Sequence, residues 1–455
     1  MHPQSGSHLS WFGIFRLGLV QTALGAIVVL TTSTLNRVMV VELALAAMLP
    51  GALVTLHHAM QLLRPRMGYG SDVGQRRTPW IVGGMLALAL GGAGAAVATT
   101  VMAESFALGL GLAIVAYTLI GGGVSATGTS LLVLMAKRVA PERRPAAATM
   151  VWMMMILGFA LTAGITGGLL EPYSHGRLVT VTAGVSAIAM LITLVAMFRL
   201  EGDAPDPATG AETHAKPAFR DALRQVWGEP DARRFTVFVF VSMLAYSAQD
   251  LILEPYAGAV FGFTPGESTK LAGVQHGGAF LGMALVALVT QAFKGTPLAS
   301  LKAWVLGGCM ASGLAQLGLV AGGVVGLGWP LRANVFLLGM ANGAFAIAAI
   351  AGMMALAGEG RGRREGTRMG LWGASQAIAM GAGGFLGTVL VDAAGFVFGE
   401  GETALPYMIV FFLEALGFFV AQALAGKTRF PQSSEREPEL SPTLVADATF
   451  ADAAE

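Results

Sequence analysis

Charge is scarce in this sequence. Lysine, arginine, aspartate and glutamate make up 12% of its 455 residues, whereas a soluble domain carries about 25%. The formal net charge is +1 and no segment carries a basic stripe, which argues against a nucleic-acid partner. Only one cysteine, Cys309, is present, so an intramolecular disulfide and a cysteine-based metal site are excluded.

The spacings that mark common enzymes are missing as well. The sequence has no nucleophile elbow, no phosphate-binding loop and no metalloprotease helix, and each of these requires fixed residue types at fixed distances. We therefore predict that the protein is not an enzyme and holds no protein-bound metal. The first residues have no basic region and no small-residue cleavage site, so we also expect no removable signal peptide.

What the sequence has is apolar length. Hydrophobic residues make up 55% of it, and a bilayer core about 30 Å thick needs about 20 apolar residues in a helix. Twelve runs of that kind lie between charged segments, at residues 15–35, 43–63, 80–102, 106–135, 146–170, 178–198, 235–253, 271–293, 301–325, 333–356, 369–391 and 405–425. The pattern predicts an all-α integral membrane protein.

The basic residues predict its orientation. If the N-terminus is cytoplasmic, 24 of the 28 lysines and arginines fall in cytoplasmic segments, and four fall on the other side: Arg37, Arg177, Lys270 and Arg332. Positive charge accumulates on the cytoplasmic side of membrane proteins. Both termini are therefore expected to be cytoplasmic.

A long polar segment follows the sixth run and separates the two halves of the chain, and a polar tail follows the twelfth run. We predict a six-helix half at residues 1–200, a cytoplasmic linker at 201–234, a second six-helix half at 235–426 and a disordered acidic tail at 427–455. Within the linker, Phe219, Leu223, Val226 and Trp227 share one helical face. This indicates either an amphipathic helix on the inner leaflet or a short helix docked on the bundle.

A short polar loop follows the second run. Residues 64–80 contain the spacing G-x-x-x-D-x-x-x-R-R, formed by Gly68, Asp72, Arg76 and Arg77. This resembles the loop between helices two and three of the major facilitator superfamily, and the resemblance implies twelve helices in two pseudo-symmetric halves. Val73 stands where that family usually has a basic residue, which disfavours proton-coupled drug export. We interpret Asp72, Arg76 and Arg77 as a structural clamp.

Polar side chains inside the apolar runs are costly in lipid and mark candidate sites. His57, His58 and Gln61 lie within one turn of the second run, and Gln275 and His276 lie in the eighth. A neutral imidazole can ligate the magnesium of a chlorophyll or relay protons. The alternative is a histidine that only donates a hydrogen bond to a neighbouring helix.

The ends of the first and seventh runs resemble each other in their polar residues. Arg37 follows the first run, and Asp250 and Glu254 lie at the end of the seventh. In a two-fold bundle these runs meet near the centre. We therefore predict an outer cavity, or an ion pair between Arg37 and Asp250 that closes the outer mouth. The alternative is two unrelated interfacial charges.

Three stretches, at residues 9–43, 64–80 and 249–263, resemble the PucC family, also called the bacteriochlorophyll delivery family. Residues 34–43, TLNRVMVVEL, are the most specific of them. Members of that family are implicated in assembling light-harvesting complexes of photosynthetic bacteria. The resemblance therefore implies a protein of the intracytoplasmic membrane that binds or delivers bacteriochlorophyll or a late precursor.

The same resemblance implies light-harvesting polypeptides as partners, with chlorophyll synthase, the insertion machinery and membrane lipids as further ones. Two alternatives remain at this point. One is a secondary transporter that moves a small amphipathic solute by alternating access. The other is a pigment-free scaffold for antenna polypeptides.

Overall fold

The computed structural model describes residues 8–63, 76–140, 143–202, 227–359, 365–399 and 402–428. Within these ranges the chain forms long helices and no strand. We number the helices in chain order: α1 Trp11–Glu42, α2 Met48–Met60, α3 Thr78–Glu104, α4 Phe106–Arg138, α5 Arg144–Leu169, α6 His175–Met197, α7 Pro230–Phe261, α8 Pro265–Ala292, α9 Leu301–Val325, α10 Leu331–Glu359, α11 Glu365–Phe398 and α12 Leu405–Gly426.

The predicted all-α membrane fold is confirmed. Eleven of these helices are long and apolar enough to cross a membrane. The remaining one, α2, is extended by a short 3-10 turn at Gln61–Leu63, where the described range ends. The predicted amphipathic face at 219–226 and the tail beyond residue 428 lie outside the described residues, as do Gly68 and Asp72.

Several helices begin at residues that suit a helix start. The hydroxyls of Ser10, Ser174 and Ser300 accept hydrogen bonds from backbone N–H groups in the first turns of α1, α6 and α9. At α8, Thr264 and Glu267 form a reciprocal capping box, with Pro265 at the first helical position. These contacts satisfy donors that have no partner within the helix.

The helices form two halves, α1–α6 and α7–α12, and alternate in direction. We call the end that carries residues 8 and 428 the near end, and the end that carries Arg37 and Phe263 the far end. The halves pack together through α5 with α8, α2 with α11, and the far part of α1 with α7. Because each neighbouring pair belongs to opposite halves, these three contacts hold the halves together.

The first helix extends further than the apolar run predicts. α1 continues to Glu42 because two π-helical turns, Leu30–Thr34 and Val38–Glu42, interrupt its hydrogen-bond ladder without ending the helix. Such turns occur at functional sites and free backbone carbonyls for other donors. One freed group, the carbonyl of Thr31, accepts from the hydroxyl of Tyr117 on α4 at 2.8 Å. Arg37 therefore lies inside the helix, not after it.

Glycines allow the close approach of α5 and α8. A Cβ on Gly273 of α8 would lie 2.8 Å from the backbone nitrogen of Gly164 on α5, and one on Gly167 would lie 2.6 Å from the carbonyl of Gly266. Contact this close is typical of small residues at helix interfaces in membranes, where packing drives association.

We expect Gly273→Leu to separate α5 from α8, because the atoms in its way belong to backbone and cannot rotate aside. Overpacking of this kind costs about 1–3 kcal/mol, seen as a lower melting temperature in detergent. The matched control is Gly277→Leu, one turn further on α8, where a Cβ has nothing within 4 Å. Equal destabilisation by the two variants would contradict the assigned interface.

Candidate functional site

A proline in α7 creates a hydrogen bond between the two halves. Pro255 lies inside the helix and has no backbone N–H, so the carbonyl of Leu251 loses its helical donor. The side-chain amide of Asn36, on α1, donates to that carbonyl instead. Nearby, the hydroxyls of Thr34 and Thr269 lie 3.0 Å apart. The far parts of α1, α7 and α8 are therefore joined by buried polar contacts.

Arg37 is also buried here, with 2% of its surface exposed, and it pairs with Glu42. Its second terminal nitrogen donates to the carbonyl of Phe263 in the other half at 2.6 Å. The predicted pair with Asp250 is wrong. Because α1 continues through its π-helical turns, Glu42 lies little more than one turn after Arg37, and Asp250 lies elsewhere.

Tyr173, in the loop before α6, lies beside this pair. Burial, and then the charge of Glu42, raise the pKa of Tyr173 to about 12, against a smaller opposing effect of Arg37. The phenol therefore stays neutral at physiological pH. Its hydroxyl lies 3.3 Å from Nδ1 of His175.

Asp250 belongs to a second polar group, inside the C-terminal half. The helix α7 is interrupted at Ala248, and the carboxylate of Glu414 on α12 accepts from the freed N–H of Gln249 at 2.8 Å. Gln316 of α9 donates to the other Glu414 oxygen at 3.0 Å and to Gln249 Oε1 at 2.8 Å. Asp250 lies close enough to influence Glu414 electrostatically.

Glu414 and Gln316 were missed by the sequence reasoning. Glu414 is the one acidic residue in the apolar run 405–425, and a carboxylate in that setting is a sufficient signal for a specific role. Here the role is structural, because one oxygen accepts from the N–H of Gln249 at the break in α7 and the other accepts from Gln316 of α9.

Glu254 lies one turn after Asp250, on the same face of α7. Only 2% of its surface is exposed, and neither carboxylate oxygen accepts a hydrogen bond. The hydroxyls of Ser33 and Ser268 and the charge of Arg37 are its polar surroundings. The structure therefore places Arg37 and Glu254 at the far-end junction, and the outer cavity stays a prediction.

The first histidine site is compact. In α2 the rings of His57 and His58 meet edge to face, with centroids 4.8 Å apart. Nε2 of Gln61 lies 3.2 Å from Nε2 of His57 and 3.3 Å from Nδ1 of His58. The backbone of His57 packs against Gly121 of α4, whereas His58 is half-buried and faces Gly381 of α11. His58 is thus the one of the pair that points across the halves.

Gln275 and His276 lie on α8, away from that site. His276 is buried, and its ring stacks at a tilt against Phe159 of α5, with centroids 4.9 Å apart. The predicted pigment-binding residues therefore form two groups, one on α2 and one on α8. In each group one histidine faces the other half: His58 faces α11 and His276 faces α5.

Two cavities lie at the sides of the bundle. One, of about 490 Å³, is between α3 and α4. The other, of about 750 Å³, is among α8, α9 and α10 and includes Trp304, Trp329 and Asn334 in a mostly apolar lining. Neither of these two cavities is lined by the predicted histidines.

At the near end, the structure shows the contacts of Arg77, which is one residue of the predicted clamp. Arg77 is buried, and its backbone N–H donates to Glu201 at 2.6 Å, while Thr78 donates to the same carboxylate through its N–H at 2.8 Å and its hydroxyl at 2.6 Å. Glu201, which follows α6, therefore caps the start of α3. Its backbone carbonyl accepts from Arg138 at 3.0 Å. The contact to Glu201, which the sequence did not predict, uses the backbone of Arg77, and the clamp of Asp72, Arg76 and Arg77 stays a prediction.

Solved structures with the same arrangement are transporters. A bacterial homologue of the human lysosomal transporter Spinster superposes with a TM-score of 0.66 at 16% identity, over 91% of this chain and 95% of that one. The nucleoside transporter NupG gives 0.67 at 14% identity, over 91% and 99%. These likenesses define the class: an integral membrane protein with the major facilitator fold.

The family follows from sequence. A model described as "PUCC protein" matches residues 34–432, and this chain belongs to the PucC family. A relative from Rhodobacter capsulatus, "Bacteriochlorophyll synthase 44.5 kDa chain", is 50% identical over 94% of this chain and 98% of its own length. "Protein PucC" of the same organism is 31% identical over 90% and 91%.

We expect Arg37→Ala to lower the melting temperature in detergent, because it removes the contact to Phe263 and leaves Glu42 unpaired. Breaking a fully buried pair costs about 3–5 kcal/mol. Glu42 is 33% exposed and stays partly hydrated, so we expect about 1–3 kcal/mol.

The charge swap Arg37→Glu with Glu42→Arg should recover part of this loss. The matched swap Arg37→Asp with Asp250→Arg should recover none. Rescue by the second swap and not by the first would contradict the pairing described here.

Proposed function

We propose that this protein binds bacteriochlorophyll or a late precursor and hands it over during assembly of light-harvesting complexes. The observation that carries the proposal is the 50% identity, over nearly the full length of both chains, to a protein named as a chain of bacteriochlorophyll synthase. Family membership supports it. Light-harvesting polypeptides, chlorophyll synthase and the insertion machinery are its proposed partners.

We propose handling of the pigment, with its synthesis left to a partner enzyme. The relative's name includes the word synthase, but a chain of a synthase can supply or remove the pigment without catalysing the reaction. Two buried polar groups support this view, because Asn36 at the junction of the halves and Glu414 inside the C-terminal half are engaged in backbone contacts. We further propose that both termini are cytoplasmic, on the basic-residue distribution.

The chemistry of the candidate histidine ligands fits bacteriochlorophyll. A neutral imidazole is a common metal ligand, and a histidine of this protein would supply its ring nitrogen to the magnesium of a bound chlorophyll. His58 is half-buried and faces the opposite half across Gly381, so it is our first choice. His57, held with it by Gln61, would orient its ring, and His276 is the second choice.

We expect the protein purified from a bacteriochlorophyll-producing host to carry about one red-absorbing pigment per chain. His58→Ala should lower the bound pigment about tenfold, equivalent to about 1.4 kcal/mol of binding free energy. The amount of pigment lost in His57→Ala and in His276→Ala ranks these two residues as the remaining candidate ligands. The measurement is the absorption spectrum per mole of protein.

His175→Ala is the matched control, since His175 lies at the far end beside Tyr173 and should leave the pigment unchanged. A colourless wild-type protein would sink the proposal. If that colourless protein moves a solute in liposomes, the transporter reading replaces it. If it instead retains antenna polypeptides, a role as a pigment-free scaffold replaces the proposed function.

A further inference from the structure

Two carboxylates of the described helices, one buried and one half-buried, accept hydrogen bonds from backbone N–H groups. Glu414 caps the second part of α7. Asp392 of α11 accepts from the N–H groups of Ala47 and Met48 at 2.9 and 2.7 Å and caps α2. Glu254 differs from both, because it is 98% buried and no backbone N–H donates to it, so that the hydroxyls of Ser33 and Ser268 are the nearest polar groups of its carboxylate.

An ionised carboxylate left this way costs several kcal/mol unless a positive charge lies beside it. Arg37 does not supply that charge in full. It is already paired with Glu42 and bonded to the carbonyl of Phe263, and the Arg37 and Glu42 pair is neutral as a unit. Asp250, one turn earlier on α7, and Glu414 on α12 are acidic as well and supply no positive charge to the same interior.

Other basic groups nearby are directed elsewhere. Lys270 of α8 follows Thr269, but its side chain packs against Gly167 and Gly168 of α5. Arg177 of α6 donates to the carbonyl of Glu171 in the loop before it. An ionised Glu254 would therefore have no basic partner of its own among these groups at the junction of α1, α7 and α8.

The polar groups around Glu254 carry oxygen atoms that can serve as ligands of a cation. The hydroxyls of Ser33 and Ser268 lie beside its carboxylate, and Thr34 and Thr269 follow them in sequence, with hydroxyls 3.0 Å apart. The side-chain oxygen of Asn36 is buried and accepts no hydrogen bond. Ser33 and Thr34 lie on a π-helical turn of α1, Asn36 follows that turn, Ser268 and Thr269 lie at the start of α8, and Glu254 lies in the interrupted helix α7. Interrupted helices form the sodium sites of transporters.

We infer that Glu254, with Ser33, Ser268 and Asn36, binds one sodium ion between the two halves. A single unpaired carboxylate among neutral oxygens matches a monovalent hard cation better than a divalent one, which would require more carboxylate charge. Within the described residues no group of three or more His, Cys, Asp and Glu side chains is placed to hold a metal. The inference does not depend on the proposed pigment role.

The test is equilibrium binding of radioactive sodium to the purified full chain at pH 8, where protons compete weakly. We expect saturable binding of about one ion per chain, and Glu254→Gln should weaken it at least tenfold. Sodium chloride should also raise the melting temperature of the wild-type protein relative to choline chloride of equal ionic strength, since a ligand that binds only the folded state stabilises it.

Glu104→Gln, at an exposed glutamate of α3, is the matched control and should leave binding unchanged. If Glu254→Gln fails to fold, Ser33→Ala and Ser268→Ala each remove one hydroxyl and should weaken sodium binding several-fold. Absence of saturable binding to the wild-type protein would overturn the inference, as would equal affinity in all variants. A carboxylic-acid infrared band lost in Glu254→Gln, without sodium binding, would assign the site to a proton and overturn it as well.

Discussion

The hydrogen bond from Asn36 to the carbonyl of Leu251 is the contact on which the far end depends. A membrane interior has no water to satisfy a backbone carbonyl that a proline has deprived of its donor. α7 can keep Pro255 only because α1 supplies an amide at that depth. The same requirement places α1 beside α7, and with it Arg37 beside Phe263 and Thr34 beside Thr269.

A second consequence of the same constraint is the use of acidic side chains as helix caps. Glu201, Asp392 and Glu414 each come from a segment far away in sequence and satisfy the backbone at the start of α3, α2 and the second part of α7. Backbone N–H groups at a helix start favour a negative charge, which makes these carboxylates tolerable in or near lipid. Within the described residues Glu254 is buried without a backbone N–H partner, and this difference is the basis of the sodium site inferred above.

Much of the fold was predictable from sequence because it depends on local pattern. Apolar length gave the number of helices, and the loop spacing around Arg76 and Arg77 gave the superfamily. The partner of Arg37 was not predictable, since it required knowing that α1 continues through two π-helical turns. Caps such as Asp392 on Met48 join residues 344 positions apart, and no local pattern carries that information. The roles of His57, His58, Gln275 and His276 stay predictions.

The far-end contacts also bear on how such a protein would work. Alternating access would break the bonds of Asn36, Arg37 and Thr34 to the other half, and each buried group left unsatisfied costs about 1–3 kcal/mol. Opening the far end would therefore require water or an ion to take the place of these partners. A cargo that stays in the bilayer has no need of that opening. It would need only a lateral route between the halves, past the half-buried His58 where α2 meets α11. On this energetic ground, handover of a membrane-soluble pigment makes a smaller demand on the structure than movement of a solute from one side of the membrane to the other.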